Sequence, residues 1–188
     1  MGFNILNANR IDKRVVFRFQ KSKVTNAYAY TDKSVVILSP MLPYMEDDNE
    51  LAGILSHEIA HAVDMHAGFW RIWSMQWAPK KYEIKADKKA VDYMVKAGYD
   101  PVALIIVLNK VAGEYSSDFM ASHPLTSKRL AYIYEYIYEK YPAYLADNQY
   151  KTNIYYQNFL LTSKKDREKI RNKSLVNAAK KTSKKDKL

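Results

Sequence analysis

Residues 57 to 61 read His-Glu-Ile-Ala-His, so two histidines stand four positions apart with a glutamate beside the first. On a helix, residues four apart lie one above the other, and both imidazoles can then bind one metal ion. Glu58 projects beside them, where it can take a proton from a metal-bound water instead of binding the metal. The segment predicts a catalytic zinc site with His57 and His61 as ligands and Glu58 as the general base.

A catalytic zinc needs a third protein ligand and keeps one position open. The chain contains no cysteine, so the ligand has to be a histidine or a carboxylate. Glu83 and Asp87 stand four residues apart on the next predicted helix, which places them on one face. We expect Glu83 to be the third ligand and Asp87 to accept the N–H of a ligand imidazole. A metzincin site would require histidine where Ala67 stands, which excludes that subclass.

The elements that position these residues change from strand to helix patterns along the chain. Short β-branched and aromatic runs at 15–19, 24–30 and 34–38 predict strands in the first 45 residues. Asp47 and Glu50 then have the spacing of a capping box, which predicts that the metal-binding helix begins there. This order predicts an α+β, mainly helical domain with a small N-terminal antiparallel sheet.

Three further helices are predicted after the metal-binding helix, over 79–97, 100–111 and 126–140. The last segment is ambiguous, because its tyrosines alternate as in a strand while Leu130, Ile133 and Ile137 follow helical spacing. Its length and its Glu and Lys content favour a helix.

The charge is distributed unevenly along the 188 residues. The formal net charge is +10, and residues 164–188 hold eleven Lys/Arg against three Asp/Glu, a balance of +8. This predicts a domain over 1–163 followed by a basic C-terminal tail over 164–188, helical or poorly ordered. Such a tail is either a solvated segment or an electrostatic tether to anionic lipid or nucleic acid.

Four segments resemble, in order, the HtpX-like zinc metallopeptidases, which include the CAAX prenyl proteases and soluble envelope peptidases. They are the Asn-Ala-Tyr-Ala run at 26–29, the metal helix at 49–61, the Glu-x-x-x-Asp helix at 83–101, and the His-Pro-x-x-x-x-Arg element at 123–129. The resemblance covers about residues 24 to 140. One departure is Thr31-Asp32-Lys33, where many relatives have a Pro-Gly-Gly turn, and this puts the local hairpin shape in doubt.

The resemblance implies a minimal, soluble member of this gluzincin group with a zincin-like fold. It implies that His57, His61 and Glu83 hold one Zn²⁺ per chain, and that Glu58 acts as catalytic base and acid. The substrate would be a polypeptide that adds as a strand along Asn26, Ala27 and Tyr28. The implied activity is zinc-dependent endopeptidase cleavage of unfolded or misassembled proteins.

His123 is placed near the site by the same resemblance, and its role is open among three alternatives. It can stabilise the oxyanion of the tetrahedral intermediate, fill the open zinc position and keep the enzyme latent, or serve a structural purpose. Arg129 is interpreted as a structural ion-pairing residue that supports the site.

Other functional classes remain as alternatives. One is a regulator-cleaving protease resembling ImmA. Another is a zinc-binding, chaperone-like module with little turnover, and the intact Glu58 argues against this second alternative. Nucleic acid is not an expected partner, because the charge is confined to the tail and no nucleic-acid motif accompanies it.

Membrane contact and location are predicted only in outline. Trp70, Trp73 and Trp77 have helical spacing and form either a core stripe or an exposed lip that rests on a membrane. The basic tail is a second candidate for contact with a membrane surface, because of its positive charge. No apolar run approaches the ~20 residues of a spanning helix. The resemblance favours an exported protein of the periplasm or cell envelope, with the cytoplasm as the alternative.

Overall fold

The computed structural model describes residues 1–64, 79–113, 123 and 127–185. Trp70, Trp73 and Trp77 lie outside these residues, so the two interpretations of that segment stay predictions. The described part of the chain is a helical domain with a three-stranded sheet near its N-terminus, and the predicted α+β, mainly helical class is confirmed.

The sheet consists of β1 (Val16–Gln20), β2 (Ala27–Ala29) and β3 (Ser34–Leu38), in the order β1-β3-β2. β2 and β3 are antiparallel, but β1 and β3 are parallel. The expectation of a wholly antiparallel sheet was therefore wrong for one of its two pairs. The reason is topological. The chain reverses direction between β1 and β2 and again between β2 and β3, so β1 and β3 run in the same direction. β2 occupies one edge of β3 and β1 occupies the other.

The tight turn between β2 and β3 replaces the Pro-Gly-Gly turn of many relatives. Lys33 adopts a left-handed backbone with φ of 70°, and its N–H donates to the carbonyl of Tyr30 at 3.0 Å. Asp32 accepts hydrogen bonds from both the N–H and the hydroxyl of Ser34, at 2.9 and 2.6 Å. These short-range bonds build the hairpin without glycine or proline.

The predicted helices are present in the predicted order. The further helices before residue 45 and between residues 141 and 163 were not predicted from the sequence. The helices of the described residues are α1 (Gly2–Ala8), a 3-10 helix (Ser39–Tyr44), α2 (Asp48–Asp64), α3 (Pro79–Lys96), α4 (Val102–Ala112), α5 (Ser127–Lys140), α6 (Ala143–Ala146), α7 (Ile154–Thr162) and α8 (Lys164–Lys185).

Helix α2 begins at the predicted cap. The side chain of Asp47 accepts the N–H of Glu50 at 2.9 Å, and the Glu50 carboxylate accepts the N–H of Glu46 at 3.0 Å. These bonds satisfy N–H groups that have no partner within the helix. Lys110 of α4 donates to both oxygens of Glu50 at 2.8 and 2.9 Å in a buried ion pair. The start of the metal-binding helix is therefore anchored to the core.

Helix α2 lies at the centre of the domain, packed against α3, α4 and two strands of the sheet. Small residues permit this close packing. A Cβ added to Gly53 would lie 3.3 Å from the Cα of Leu104, so α2 and α4 approach backbone to backbone. Ala86 and Ala90 on α3 are buried, as expected for the face that meets α2.

The two ambiguous C-terminal segments are both helical. In α5, Leu130, Ile133 and Ile137 are buried, so its helical spacing prevails over the tyrosine alternation. Helix α8 covers most of the basic tail and packs on α5 through Arg171, which donates to both oxygens of Glu135 at 2.8 and 2.9 Å. No helix in the described ranges is long and apolar enough to cross a membrane.

Candidate metal centre

Two helices bring the predicted ligands together. Helix α2 carries His57 and His61, α3 carries Glu83, and the two helices pack side by side. Asp64, at the end of α2, pairs with Lys85 and Lys89 in the middle of α3 and so links the two helices. We did not anticipate these pairs from the sequence, and the four-residue spacing of the lysines was the only local signal for them.

Four ligand atoms from α2, α3 and His123 converge on one point. The Nε2 atoms of His57 and His61 are 3.1 Å apart, and the carboxylate oxygens of Glu83 lie 3.1 Å from His61 and 3.4 Å from His57. The Nδ1 atom of His123 lies 3.3 Å from both His57 Nε2 and Glu83 Oε2. All four residues are buried.

These separations suit a tetrahedral zinc ion. Four ligands at zinc bond lengths of ~2.0–2.1 Å are ~3.3–3.4 Å from one another at the tetrahedral angle. The separations given above, 3.1 to 3.4 Å, fall near that value, with one Glu83 oxygen facing His61 and the other facing His57 and His123. One ligand atom from each of the four residues lies within 4.8 Å of the other three. The donor set of imidazole nitrogen and carboxylate oxygen is the chemistry that zinc binds. The residues present therefore fit the ion.

The electrostatics of the cluster favour a bound positive charge. Burial lowers the pKa of His57, but hydrogen bonds with the carboxylates of Asp87 and Glu83 outweigh it and raise the pKa to about 10. Burial likewise raises the pKa of Glu83, and contacts with the three histidines, His123 first, bring it well below its ordinary value. The two buried carboxylates, Glu83 and Asp87, thus favour a second positive charge beside that of Arg129, either a proton on His57 or a metal ion in its place.

Asp87 and Arg129 form a buried support behind the ligands. Asp87 Oδ1 lies 3.0 Å from His57 Nδ1, which directs the opposite ring nitrogen towards the cluster. Arg129 donates to both carboxylate oxygens of Asp87 at 2.7 and 2.8 Å, and its side chain is 0% exposed. Burial raises the pKa of Asp87, but the guanidinium of Arg129 lowers it below its ordinary value.

Arg129 also reaches two parts of the ligand set directly. Its Nη1 lies 2.8 Å from Glu83 Oε2 and donates to the backbone carbonyl of His123 at 3.2 Å. One guanidinium therefore connects Asp87, Glu83 and the backbone of His123. The expected ion pairing of Arg129 is present in the structure, and its contact with the ligand Glu83 was not anticipated.

Glu58 lies beside the cluster and outside the ligand set. Its side chain is fully buried, and neither carboxylate oxygen accepts a hydrogen bond from the residues that the structure describes. Among the described residues His123 lies beside it, with Nε2 3.5 Å from Glu58 Oε1. A buried carboxylate without hydrogen bonds is costly unless something else satisfies it, and a water molecule bound here would do so.

The strand predicted to hold substrate lies at the edge of the sheet, packed on α2. The carbonyl of Asn26 and the N–H of Tyr30 face β3, at 3.0 and 2.8 Å from their partners. By the alternation of an antiparallel ladder, the backbone groups of Ala27 and Ala29 face outward. The Ala27 N–H bonds the side chain of Asn26 at 2.9 Å and Ala27 is buried, whereas Tyr28 and Ala29 are half-buried.

A protein-family model and several known proteins match the sequence of this chain. The model of peptidase family M48 matches residues 5–77 and 72–137, most of the chain. The chain is 24% identical over 136 residues to the mitochondrial metalloendopeptidase OMA1 of Arabidopsis thaliana, covering 56% of this chain and 28% of that protein. It is 23% identical over 171 residues to the β-barrel assembly-enhancing protease of Yersinia pestis, covering 68% of this chain and 35% of that protein.

The same protease of Escherichia coli (strain K12) is 22% identical over 171 residues, with the same two coverages. The chain thus spans roughly a third of the length of these relatives. The resemblance to metallopeptidases is confirmed at the level of the family, and the buried cluster of His57, His61, Glu83 and His123 is compatible with the metal dependence of such enzymes. The chain belongs to peptidase family M48.

Proposed function

We propose that this protein is a zinc-dependent endopeptidase that cleaves polypeptides. The observation that carries the proposal is the arrangement around the cluster. His57, His61, Glu83 and His123 each present a ligand atom within 4.8 Å of the others, and the Glu58 carboxylate lies next to them without a hydrogen bond from the described residues. A structural zinc site needs no such base, so the arrangement favours turnover over a chaperone-like role.

In the proposed mechanism His57, His61 and Glu83 hold the zinc ion. When bound, zinc supplies Lewis acidity, which lowers the pKa of water and polarises the peptide carbonyl. Glu58 takes a proton from the attacking water and later delivers it to the leaving amine. Asp87 and Arg129 keep His57 and Glu83 in position while the charge in the site changes.

His123 has two proposed positions in the working enzyme. We propose that the arrangement with His123 Nδ1 at 3.3 Å from His57 Nε2 and Glu83 Oε2 is a latent one, in which His123 would be a fourth zinc ligand. A catalytic zinc needs that fourth position for water or substrate, so His123 has to move aside for turnover. The Arg129 bond to its carbonyl limits this movement, and the displaced imidazole stays near Glu58, where it can donate to the oxyanion.

The substrate is proposed to add as a strand to the free edge of β2. Pairing begins at Ala29, because its outward backbone groups are partly accessible while those of Ala27 are buried and one is already bonded to Asn26. This mode favours unfolded or extended polypeptides, since folded proteins protect most of their strand edges against pairing.

The decisive experiment compares Glu58→Gln with the unmodified protein. We expect the variant to retain one zinc per chain by metal analysis and to lose casein hydrolysis, because the amide accepts no proton. Glu83→Gln should lose zinc as well as hydrolysis, and Glu168→Gln, on the exposed surface of α8, should change neither. Normal turnover by Glu58→Gln would refute the assignment of the base.

We further propose an exported location in the cell envelope, on the resemblance of the sequence segments to envelope peptidases, and peripheral membrane contact through the basic tail. Fractionation of cells with an antibody against the chain checks the first point. Recovery in the cytoplasmic fraction alone would contradict it.

A further inference from the structure

A groove of about 580 Å³, outside the metal centre, is lined by residues of α5 and α8 and by Lys88 of α3. Helix α8 forms one wall and Lys88 of α3 stands on the other side. The floor carries Tyr132 and Tyr136, and Tyr138 lies towards the α8 wall. From Lys128 to Glu139 the lining follows α5 for about 16 Å, at 1.5 Å of rise per residue.

The groove combines aromatic rings with an excess of positive charge. Lys88 Nζ lies 5.2 Å from the ring centre of Tyr136 and 5.9 Å from that of Tyr132, so the ammonium stands over the floor. Arg171 covers the ring of Tyr138 at 4.0 Å and is neutralised by its bidentate pair with Glu135. The arginine therefore contributes packing and no free charge.

Four lysines and two acids remain after that pair is removed. The lysines are Lys88, Lys128, Lys169 and Lys173, and the acids are Glu139 and Asp166, which leaves a balance of +2. None of these lysines forms an ion pair with the residues that the structure describes.

Apolar surface is exposed in the same place. Leu175 of α8 is 63% exposed at the groove, and Ile170 is half-buried there. An aromatic floor, an apolar wall and a lysine rim complement a ligand with apolar side chains flanked by carboxylates. A narrow chain can follow the groove and contact Tyr132 and Tyr136, whereas a flat bilayer surface would contact mainly the rim and the exposed ring of Tyr138.

We propose that this groove is a second binding site for the polypeptide substrate, specific for acidic segments with apolar side chains. Its length suits about five residues of extended chain, at ~3.3 Å each. It rests on the proposed function only for the statement that the bound polypeptide is a substrate. An acidic segment held here raises the local concentration of the rest of the chain at the metal centre.

Binding is measured by fluorescence anisotropy in the Glu58→Gln background, where no cleavage takes place. The probe is a labelled twelve-residue peptide in which four Asp and Glu residues flank Leu and Phe, and the control peptide has Asn and Gln at those positions. Lys88→Glu and Lys173→Glu should each weaken binding of the acidic peptide by about fivefold, the upper end for an exposed charge pair. Lys21→Glu, an exposed lysine beyond β1, should leave it unchanged.

Several results would overturn the proposal. Equal affinity for the acidic and amide peptides would exclude charge recognition, and equal loss with Lys21→Glu would reduce the effect to net charge. Vesicles of phosphatidylglycerol, or a single-stranded RNA oligonucleotide, that bind through Lys88 and Lys173 while the peptide does not would assign the groove to a different partner. Circular dichroism melts of each variant separate loss of binding from loss of fold.

Failure of this proposal is distinct from failure of the proposed function. In the active protein, Lys88→Glu should raise KM for a cleavable peptide carrying the acidic segment and leave kcat unchanged. The same peptide with the amide segment should show no change in either constant. Peptide binding without any hydrolysis by the unmodified protein would refute the proposed peptidase activity and still support the proposed binding site.

Discussion

Replacement of Asp87 by Asn removes one charge from the buried support behind the metal centre. Asp87 is 0% exposed and accepts two hydrogen bonds from Arg129, at 2.7 and 2.8 Å, while His57 Nδ1 lies 3.0 Å away. The amide can still accept one of the N–H groups, but its NH₂ then faces the guanidinium or the imidazole. Arg129, itself fully buried, keeps Glu83 as a charged partner at 2.8 Å.

The expected cost follows from the burial of both partners. Loss of one member of a buried ion pair destabilises a protein by about 3–5 kcal/mol when the other charge is left without its counterion. Because Arg129 keeps Glu83, we expect the lower end of that range, about 3 kcal/mol. For a chain of this size that corresponds to a fall in Tm of about 6–12 °C. Loss of the group that orients His57 should also weaken zinc binding by about 10–100-fold.

The assay is urea unfolding of the metal-free protein, followed by zinc titration against a chelator of known affinity. Asp64→Asn is the matched control, since Asp64 joins the same two helices through Lys85 and Lys89 but near solvent, and should cost about 0–1 kcal/mol. If Asp87→Asn is no more destabilising than Asp64→Asn and binds zinc normally, the buried support has no such role.

Three more outcomes follow from the same contacts. His123→Ala should increase casein hydrolysis if the imidazole holds the enzyme latent, and a decrease would assign it to the oxyanion. Lys110→Met should destabilise the protein by about 3–5 kcal/mol in urea unfolding, and a second change of Glu50 to Leu should recover part of that loss. In the metal-free protein, Tm should fall as the pH rises from about 6.5 towards 10. The folded protein raises the pKa of His57 to about 10, so protonated His57 stabilises the fold. That stabilisation is lost as His57 releases its proton near pH 10. Melts of the zinc-loaded protein should lack this dependence, since His57 then carries no proton to lose.

The local part of the candidate site could be predicted from the sequence. The four-residue spacing of His57 and His61 defines their relation on a helix, whatever the rest of the chain does. The capping pair of Asp47 and Glu50 likewise indicated where that helix begins, because a cap depends on residues three apart. Helical spacing also identified α5 correctly, because its buried residues repeat with the helix period.

Contacts between distant segments were beyond such reasoning. The parallel pairing of β1 with β3 depends on which edge β2 leaves free, and no residue of β1 encodes that choice alone. Glu83 became a candidate ligand only by its position after the first motif, and the approach of α2 to α3 brings its carboxylate within 3.1 Å of His61. Such an approach is decided by the packing of whole helix faces.

The sequence by itself therefore indicated the chemical types of the candidate ligands, the helix that carries two of them, and the candidate base beside them. The tertiary structure decided that His123 presents Nδ1 to the cluster and that Arg129 joins Glu83, Asp87 and the His123 backbone. The physical reason is the range of the interactions. Helix periodicity acts over four residues, whereas a buried guanidinium satisfies its hydrogen bonds with whichever groups the folded core brings near it.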